Sequence, residues 1–411
     1  MAAFLFGAVA MFAVMYSTQA ALPAVARAFD VSASEAGLTI SVPIGAVAVG
    51  CWLWGPLSDR IGRRTALVAS SALLVIPSIA LPFAPGFAVV VVLRALQGLC
   101  MPGLLAVGVA YTAEIYQPRF GTRAAGYYLL ALIVGGLIGR LLFAFVIDAW
   151  GWRAAFGSVA VLPLAATVVL GRKLPAEPPP ARRVAHRTRG IGKALRSLPL
   201  WVTTVVGSSL YFGFIAVFSY AGFRLQAAPL SLSPTAASLV FVLWTVGLAC
   251  PAAGGLVSSV GWRPVAGGAL VLSIGGLLLT LVPSLPVVVL GLALVTLGDF
   301  SGATAAQIGL SSLTPVSPGA AAAVYFSAYY VAGCIAGYLP GLAWERWGWS
   351  GVTTTGAVAF ALGLAMLAAG RWMPGMRPRR TRDNGIQTII FESRRTKEVR
   401  MAEGDECVTD I

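Results

Sequence analysis

The sequence predicts an all-α membrane protein in which twelve transmembrane helices form two pseudo-symmetric six-helix bundles. Three observations carry that prediction. Of 411 residues, 58% are apolar and only 11% are charged, against roughly 25% charge in a soluble domain; the mean hydropathy is +0.84. Stretches apolar enough to cross about 30 Å of hydrocarbon at 1.5 Å per residue occur twelve times, six on each side of a polar break. Two separate segments of the first half recur in the second at nearly the same offset.

Spans 1 to 6 are read at roughly 3–24, 36–57, 66–84, 87–110, 124–147 and 154–171, and spans 7 to 12 at roughly 200–222, 236–259, 265–283, 286–310, 320–342 and 351–370. The break at 173–198 holds Pro178-Pro179-Pro180 and a run of Lys and Arg. The chain therefore divides into a bundle at 1–172, a linker at 173–198, a second bundle at 199–372 and a polar tail at 373–411. Asp148-Ala149-Trp150-Gly151-Trp152 recurs as Glu345-Arg346-Trp347-Gly348-Trp349, and Gly62-Arg63-Arg64 recurs more weakly as Gly261-Trp262-Arg263. Duplicated bundles of this kind suit a rocking motion around a shared site near the midplane.

The net charge of +14 comes from 29 Lys and Arg against 15 Asp and Glu. Most of these cations sit in loops and the tail, so they act as topology signals; no basic domain interleaved with aromatics exists to bind nucleic acid. With the N-terminus inside, 23 of the 29 fall on the cytoplasmic side, which places both termini in the cytoplasm. Ala24-Val25-Ala26 imitates a signal-peptidase site, but no cation precedes it and the apolar run is longer than a signal core. Span 1 is expected to be retained. The five cysteines have no metal-ligand spacing, and the single histidine, His186, lies in the linker. These features predict no metal, no cofactor and no catalytic triad.

Gly55-Pro56-Leu57-Ser58-Asp59-Arg60-Ile61-Gly62-Arg63-Arg64 joins spans 2 and 3. It resembles the signature loop of the major facilitator superfamily, and the resemblance covers residues 1–372. Gly55 and Gly62 permit tight helix ends and close approach, and Asp59 can face the positive N-terminus of a neighbouring helix. Ser317-Pro318-Gly319 opens span 11 on the same side. The resemblance implies that Asp59 meets that helix end and locks the halves while the outside is open, with Arg60, Arg63 or Arg64 and Glu114 nearby. The arginines read equally as positive-inside anchors.

Arg94, Gln97 and Gly98 share one face of span 4. An arginine there costs about 2.5–3.5 kcal/mol on insertion scales unless paired or facing water. The RxxQG pattern resembles that of proton-coupled facilitators, which implies a part in proton transfer; snorkelling to the outer interface is the alternative. Span 5 carries Gly135, Gly136, Gly139 and then Arg140, small residues for close packing followed by a second intramembrane cation. Antiporters of the superfamily usually show Gly-Pro here, and this chain does not. Its GGxxGR and GWR patterns, with Tyr16-Ser17-Thr18-Gln19-Ala20-Ala21-Leu22-Pro23, resemble a bacterial branch of sugar-efflux-like or drug:proton antiporters.

Asp299 is the only carboxylate near the middle of a span, about 20 Å into span 10. It is read either as a site for the coupling proton or a cationic substrate group, facing Arg94 across a cavity that the resemblance assigns to spans 1, 4, 7 and 10, or as a neutral group packed against Thr296 or Ser301. Tyr16, Thr18, Gln19, Tyr211, Gln307, Tyr325, Tyr329 and Tyr330 could line a polar, aromatic cavity or serve as interfacial anchors and interhelical hydrogen bonds. A Walker loop is absent from the sequence, which removes ATP-driven pumping. The expectation is a monomeric, proton-coupled transporter of the bacterial inner membrane that exports a small, sugar-like or drug-like solute. Uptake by symport is the rival within that class, and a membrane receptor or sensor the rival outside it.

Overall fold

The computed structural model describes residues 1–116, 123–175, 191–313 and 318–370, which are helical with short connections and contain no strand. Membrane-length apolar helices run over Ala2–Phe29, Ala33–Ile61, Arg63–Phe83, Phe87–Tyr116, Gly126–Lys173, Leu198–Gln226, Trp262–Leu279, Leu285–Ser311 and Gly319–Ala369, and a bent pair, Pro234–Leu248 with Ala252–Val260, makes one more. Two of these are 48 and 51 residues long, twice what a bilayer needs. Each is broken at one glycine, Gly151 (φ 80°) and Gly348 (φ 58°), in a region that L side chains rarely adopt. Among the described residues, counting each broken helix as two spans and the bent pair as one gives segments in the order the sequence predicts. The tail at 373–411 and linker residues 176–190 lie outside the described residues.

The internal repeat is visible in the backbone. Among the described glycines, φ is positive at Gly62, Gly151, Gly261 and Gly348, the two pairs that the recurring segments contain. Gly62 ends span 2 and starts span 3, and Gly261 does the same for spans 8 and 9. Gly62, Gly261 and the linker helix Ile191–Leu195 define one end of the bundle, the linker face. Gly151 and Gly348 belong to the opposite end, the far face. The linker helix seats Ala194 against Leu200, Ala320, Ala321 and Val324 at the start of spans 7 and 11.

Several spans expected to be continuous are interrupted. Span 1 is α-helical over Ala2–Tyr16, tightens to a 3-10 turn over Ser17–Ala21 and resumes over Leu22–Phe29. Pro23 has no N–H to return to the preceding turn, so the Gln19 carbonyl is left without its helical donor. Span 4 breaks at Met101 before Pro102, and span 8 is 3-10 over Leu239–Ala249, just ahead of Pro251.

Glycines set the closest approaches. A Cβ at Gly135 would strike the backbone of Val9, one at Gly139 the carbonyl of Ala13, and one at Gly98 the backbone of Pro43. Gly37 of span 2 lies against the Gly337 carbonyl of span 11, and Gly136 lies beside the Arg140 guanidinium. Gly55, by contrast, has open space where its side chain would be, so the close approach expected there occurs elsewhere. Gly139→Val is expected to cost about 1–3 kcal/mol through overpacking and to lower the melting temperature of the purified protein, whereas Gly126→Ala, in open space, leaves it unchanged or slightly higher.

Candidate functional site

At the linker face, Asp59 pairs with Arg63 at 2.9 Å, and Arg63 also reaches Glu114 at 3.5 Å. Arg63 donates a further short hydrogen bond to Ser58 Oγ. Arg64 donates to the carbonyls of Gly171 (3.0 Å) and Leu174 (3.2 Å), so it caps the end of span 6 where the linker begins. Arg60 is exposed. The start of span 11 that Asp59 was expected to meet falls partly outside the described residues.

Arg94 is 0% exposed and does not snorkel. Its guanidinium donates to the carbonyls of Val14 (2.9 Å), Met15 (2.7 Å) and Thr39 (2.9 Å) and to Gln97 Oε1 (2.8 Å). Gln97 Nε2 passes the network to Ser78 Oγ at 2.8 Å. The acceptors at 14 and 15 immediately precede the 3-10 turn of span 1, so this side chain fastens span 4 to spans 1, 2 and 3. All of its partners belong to its own half, which corrects the expectation that Arg94 confronts Asp299.

Arg140, also 0% exposed, sits where the halves meet. Its Nε and Nη2 both donate to Gln19 Oε1, at 2.9 and 2.6 Å, and Nη1 donates to the Gly136 carbonyl at 2.7 Å. Rings cover it: Trp244 at 3.7 Å, Tyr16 at 4.4 Å and Phe241 at 5.0 Å from the guanidinium carbon, within cation–π range. Gln19 Nε2 continues to Ser219 Oγ of span 7 at 3.0 Å, and Tyr16 OH meets Tyr211 OH at 3.0 Å.

Asp299 is 4% exposed, and among the described residues its Oδ1 has no hydrogen-bond partner. Thr296 and Ser301 spend their hydroxyls on the carbonyls of Leu292 and Leu297, so neither satisfies it as one sequence reading supposed. Asp299 lies within electrostatic reach of Tyr16, Tyr325 and Tyr329, and the ring of its neighbour Phe300 packs on Phe214 and Trp244. Tyr329 stacks on Tyr211 with centroids 4.0 Å apart, and Tyr325 and Tyr330 flank the pair. Tyr325 OH is buried without a partner and lies against Gly207 of span 7. Of the predicted cavity residues, Tyr16, Gln19, Tyr211 and Tyr325 converge here; Gln307 is exposed and does not. An apolar hollow of about 440 Å³ between spans 8, 9 and 10, lined by Leu256, Val265, Leu272 and Phe300 among others, holds none of the predicted site residues.

Above this region the far face is closed. Glu345 Oε1, at the end of span 11, accepts the backbone N–H of Ser34 in the first turn of span 2 at 2.8 Å, where the helix N-terminus favours a carboxylate. Ser41 Oγ donates to the Cys334 carbonyl, and Thr235 Oγ1 donates to Asp148 Oδ2 at 3.0 Å. Spans 2 and 11 remain in contact down to the hydrogen bond from Trp52 Nε1 to Ser327 Oγ at 3.1 Å.

Two similar halves meeting around a buried polar seam, with the signature loop at one face, are the frame in which the comparisons fall. The profile of the Major Facilitator Superfamily matches residues 4–337. The chain belongs to the major facilitator superfamily. It is 30% identical over 369 residues to the inner membrane transport protein YnfM of Escherichia coli, covering 88% of this chain and 87% of that protein. A shorter stretch of 157 residues, 38% of each protein, is 30% identical to the chloramphenicol resistance protein CraA of Acinetobacter baumannii. The solved D-xylose-proton symporter has the same fold, with a TM-score of 0.70 at 18% identity over 89% of this chain and 95% of that one. This chain is thus a multi-pass membrane protein of a secondary-transporter family.

Within this facilitator fold, sequence reasoning missed Trp244, Ser219 and Glu345. Trp244 looks like one more apolar residue of span 8. Glu345 was used only as a member of the repeat, although its place beside a helix start two spans from the N-terminus needs the folded chain to appear. Glu345→Ala is expected to loosen the far face: a cysteine placed at Ala20, buried beneath it, in a background without native cysteines, should react severalfold faster with a membrane-impermeant maleimide. Glu345→Gln, which keeps an acceptor and loses the charge, should fall between.

Proposed function

We propose that this facilitator is a proton-coupled secondary active transporter that exports a small organic solute by alternating access. The observation that carries the reading is Asp299, a carboxylate with an unpartnered oxygen, buried mid-membrane beside a tyrosine cluster shared by both halves. A carboxylate so placed is a functional group by default and could carry the coupling proton. The bundles at 1–172 and 199–372 are the rocking units and work as one monomer. With both termini in the cytoplasm, as the loop charges favour, the far face is external and the structure corresponds to a state closed to the outside.

In that state Asp59 is held by Arg63 within its own half. In the outward-open state it would instead engage the start of span 11, with Gly62, Arg60, Arg63 and Arg64 shaping the loop. The similarity to YnfM supports placement in the bacterial inner membrane, and the partial similarity to CraA supports export of a drug-like or sugar-like compound. Gln97 and Arg94 contribute by holding span 1 in register.

The test is cellular accumulation of a panel of sugars, dyes and antibiotics, with and without a protonophore. The expected result is lower accumulation of one compound in expressing cells, abolished by the protonophore and by Asp299→Asn, and reduced several-fold in effect by Asp59→Asn. Higher accumulation would reverse the direction to uptake, and proton-independent flux in Asp299→Asn would remove the proton site.

A further inference from the structure

The two fully buried arginines differ in how far their hydrogen-bonding capacity is used. A guanidinium has five N–H donors. Arg94 spends four of them on acceptors of its own half, including both on Nη1. Arg140 spends three: one on Nε, one on Nη1 and one on Nη2. Its two remaining N–H bonds are therefore one on each terminal nitrogen, donors of the kind a carboxylate accepts.

Among the described residues no carboxylate lies within ion-pair distance of Arg140, and a buried charge without a counter-charge is unfavourable. A second, independent observation points the same way. Trp244, 7% exposed, has an indole Nε1–H with no acceptor, and its ring is the closest of those around the Arg140 guanidinium, at 3.7 Å. An indole N–H can only donate. Two neighbouring groups, a cation with unspent donors and an indole with its only donor unspent, thus both lack an acceptor, and the charge of the first makes an anion the acceptor that suits both.

Their position makes that acceptor a transported group rather than a structural one. Arg140 comes from span 5 and Trp244 from span 8, one in each half, and the cage is completed by Tyr16, which bonds Tyr211 across the same seam. A group held here would bridge the two units that move. The rings packed around it, Phe214 at 4.7 Å from Trp244 and the Tyr211–Tyr329 stack, make an apolar or aromatic body the one that suits these surroundings.

We propose that Arg140 and Trp244 bind the carboxylate of the solute, so that the substrate class is organic acids carrying an apolar or aromatic body. This rests on the transport reading above and narrows it. The opposite expectation for a solute cation, held by Asp299, is an outcome of the same test.

Equilibrium binding of radiolabelled benzoate to the full-length protein in lipid nanodiscs tests it, with unlabelled benzoate, benzamide and benzylamine as competitors. Benzamide keeps the shape and loses the charge, and benzylamine reverses it. Benzoate is expected to displace the label at least about tenfold better than benzamide, and benzylamine not at all. Arg140→Gln should lose that preference, Arg140→Lys should keep part of it as a point charge without the fork, and Trp244→Phe, which retains the ring and removes the N–H, should weaken benzoate severalfold. Trp244→Phe also covers the case in which Arg140→Gln does not fold. No benzoate binding by folded wild-type protein, equal displacement by benzamide, preference for benzylamine, or unchanged binding in Arg140→Gln would each overturn the proposal. Proton-driven export of a neutral or cationic compound by Arg140→Gln protein would overturn it while leaving the transport reading intact; benzoate binding with no proton-dependent flux would support the site and remove the transport reading.

Discussion

A helix that breaks inside a bilayer must find partners for the carbonyls it releases, because no water is there to take them. Span 1 breaks at Ser17–Ala21, and the Arg94 guanidinium ties the chain just ahead of the break to its neighbours: it donates to the carbonyls of Val14 and Met15, to Thr39 in span 2 and to Gln97, which continues to Ser78 in span 3. One side chain therefore fixes the broken span against three neighbours. The broken segment is what places Tyr16 and Gln19 in the seam between halves, so the geometry around Arg140 depends on a cation one span away that never touches it.

Glycines bring helices together within a half and across the seam alike. Backbone-to-backbone approaches at Gly135, Gly139 and Gly98 lock spans within the first half, and Gly37 against the Gly337 carbonyl and Gly341 against Ser34 do the same between spans 2 and 11. The other links across the seam are single hydrogen bonds, ring contacts and a carboxylate at a helix start, Glu345 on Ser34. Spans 2 and 11 have an acidic residue near each end, Glu345 at the far face and Asp59 at the linker face, and among the described residues only the first is engaged with the partner half. A pair of latches of the same physical kind at opposite ends of one helix pair is what an alternating closure needs, since each carboxylate is worth little alone and can be exchanged for the other.

Much of the fold was legible in the sequence because it follows from hydropathy and from repeats that need no tertiary knowledge. The twelve apolar stretches, the linker and the equivalence of Gly151 with Gly348 and of Gly62 with Gly261 all appear in the chain. The site was legible as a set of residues rather than as an arrangement. Arg94, Gln97, Arg140 and Asp299 are conspicuous because polar groups are costly in a membrane, but the cost says nothing about which neighbour removes it. Arg94 is satisfied by carbonyls of spans 1 and 2 and by Gln97, which no apolar pattern reveals, and Arg140 is covered by rings, including a tryptophan from the other half, while two of its N–H donors stay unspent. Gln307 is exposed where Tyr16, Tyr211 and Tyr325 are buried, since helical spacing reports a shared face and not the depth or direction of that face. Gly55 was misread for a similar reason: a glycine in a signature loop need not be the one at which helices touch.

The central claim is that the two halves rock about the Arg140–Tyr16–Tyr211 seam so that the faces open in alternation. Two spin-label distances in lipid nanodiscs test it most directly, one between Ala28 and Ala228 at the far ends of spans 1 and 7, the other between Ala2 and Leu198 at their linker ends, all exposed positions. Across a pH titration the account predicts that the far-face distance lengthens as the linker-face distance shortens. Distances that stay fixed, or that lengthen and shorten together, would contradict it.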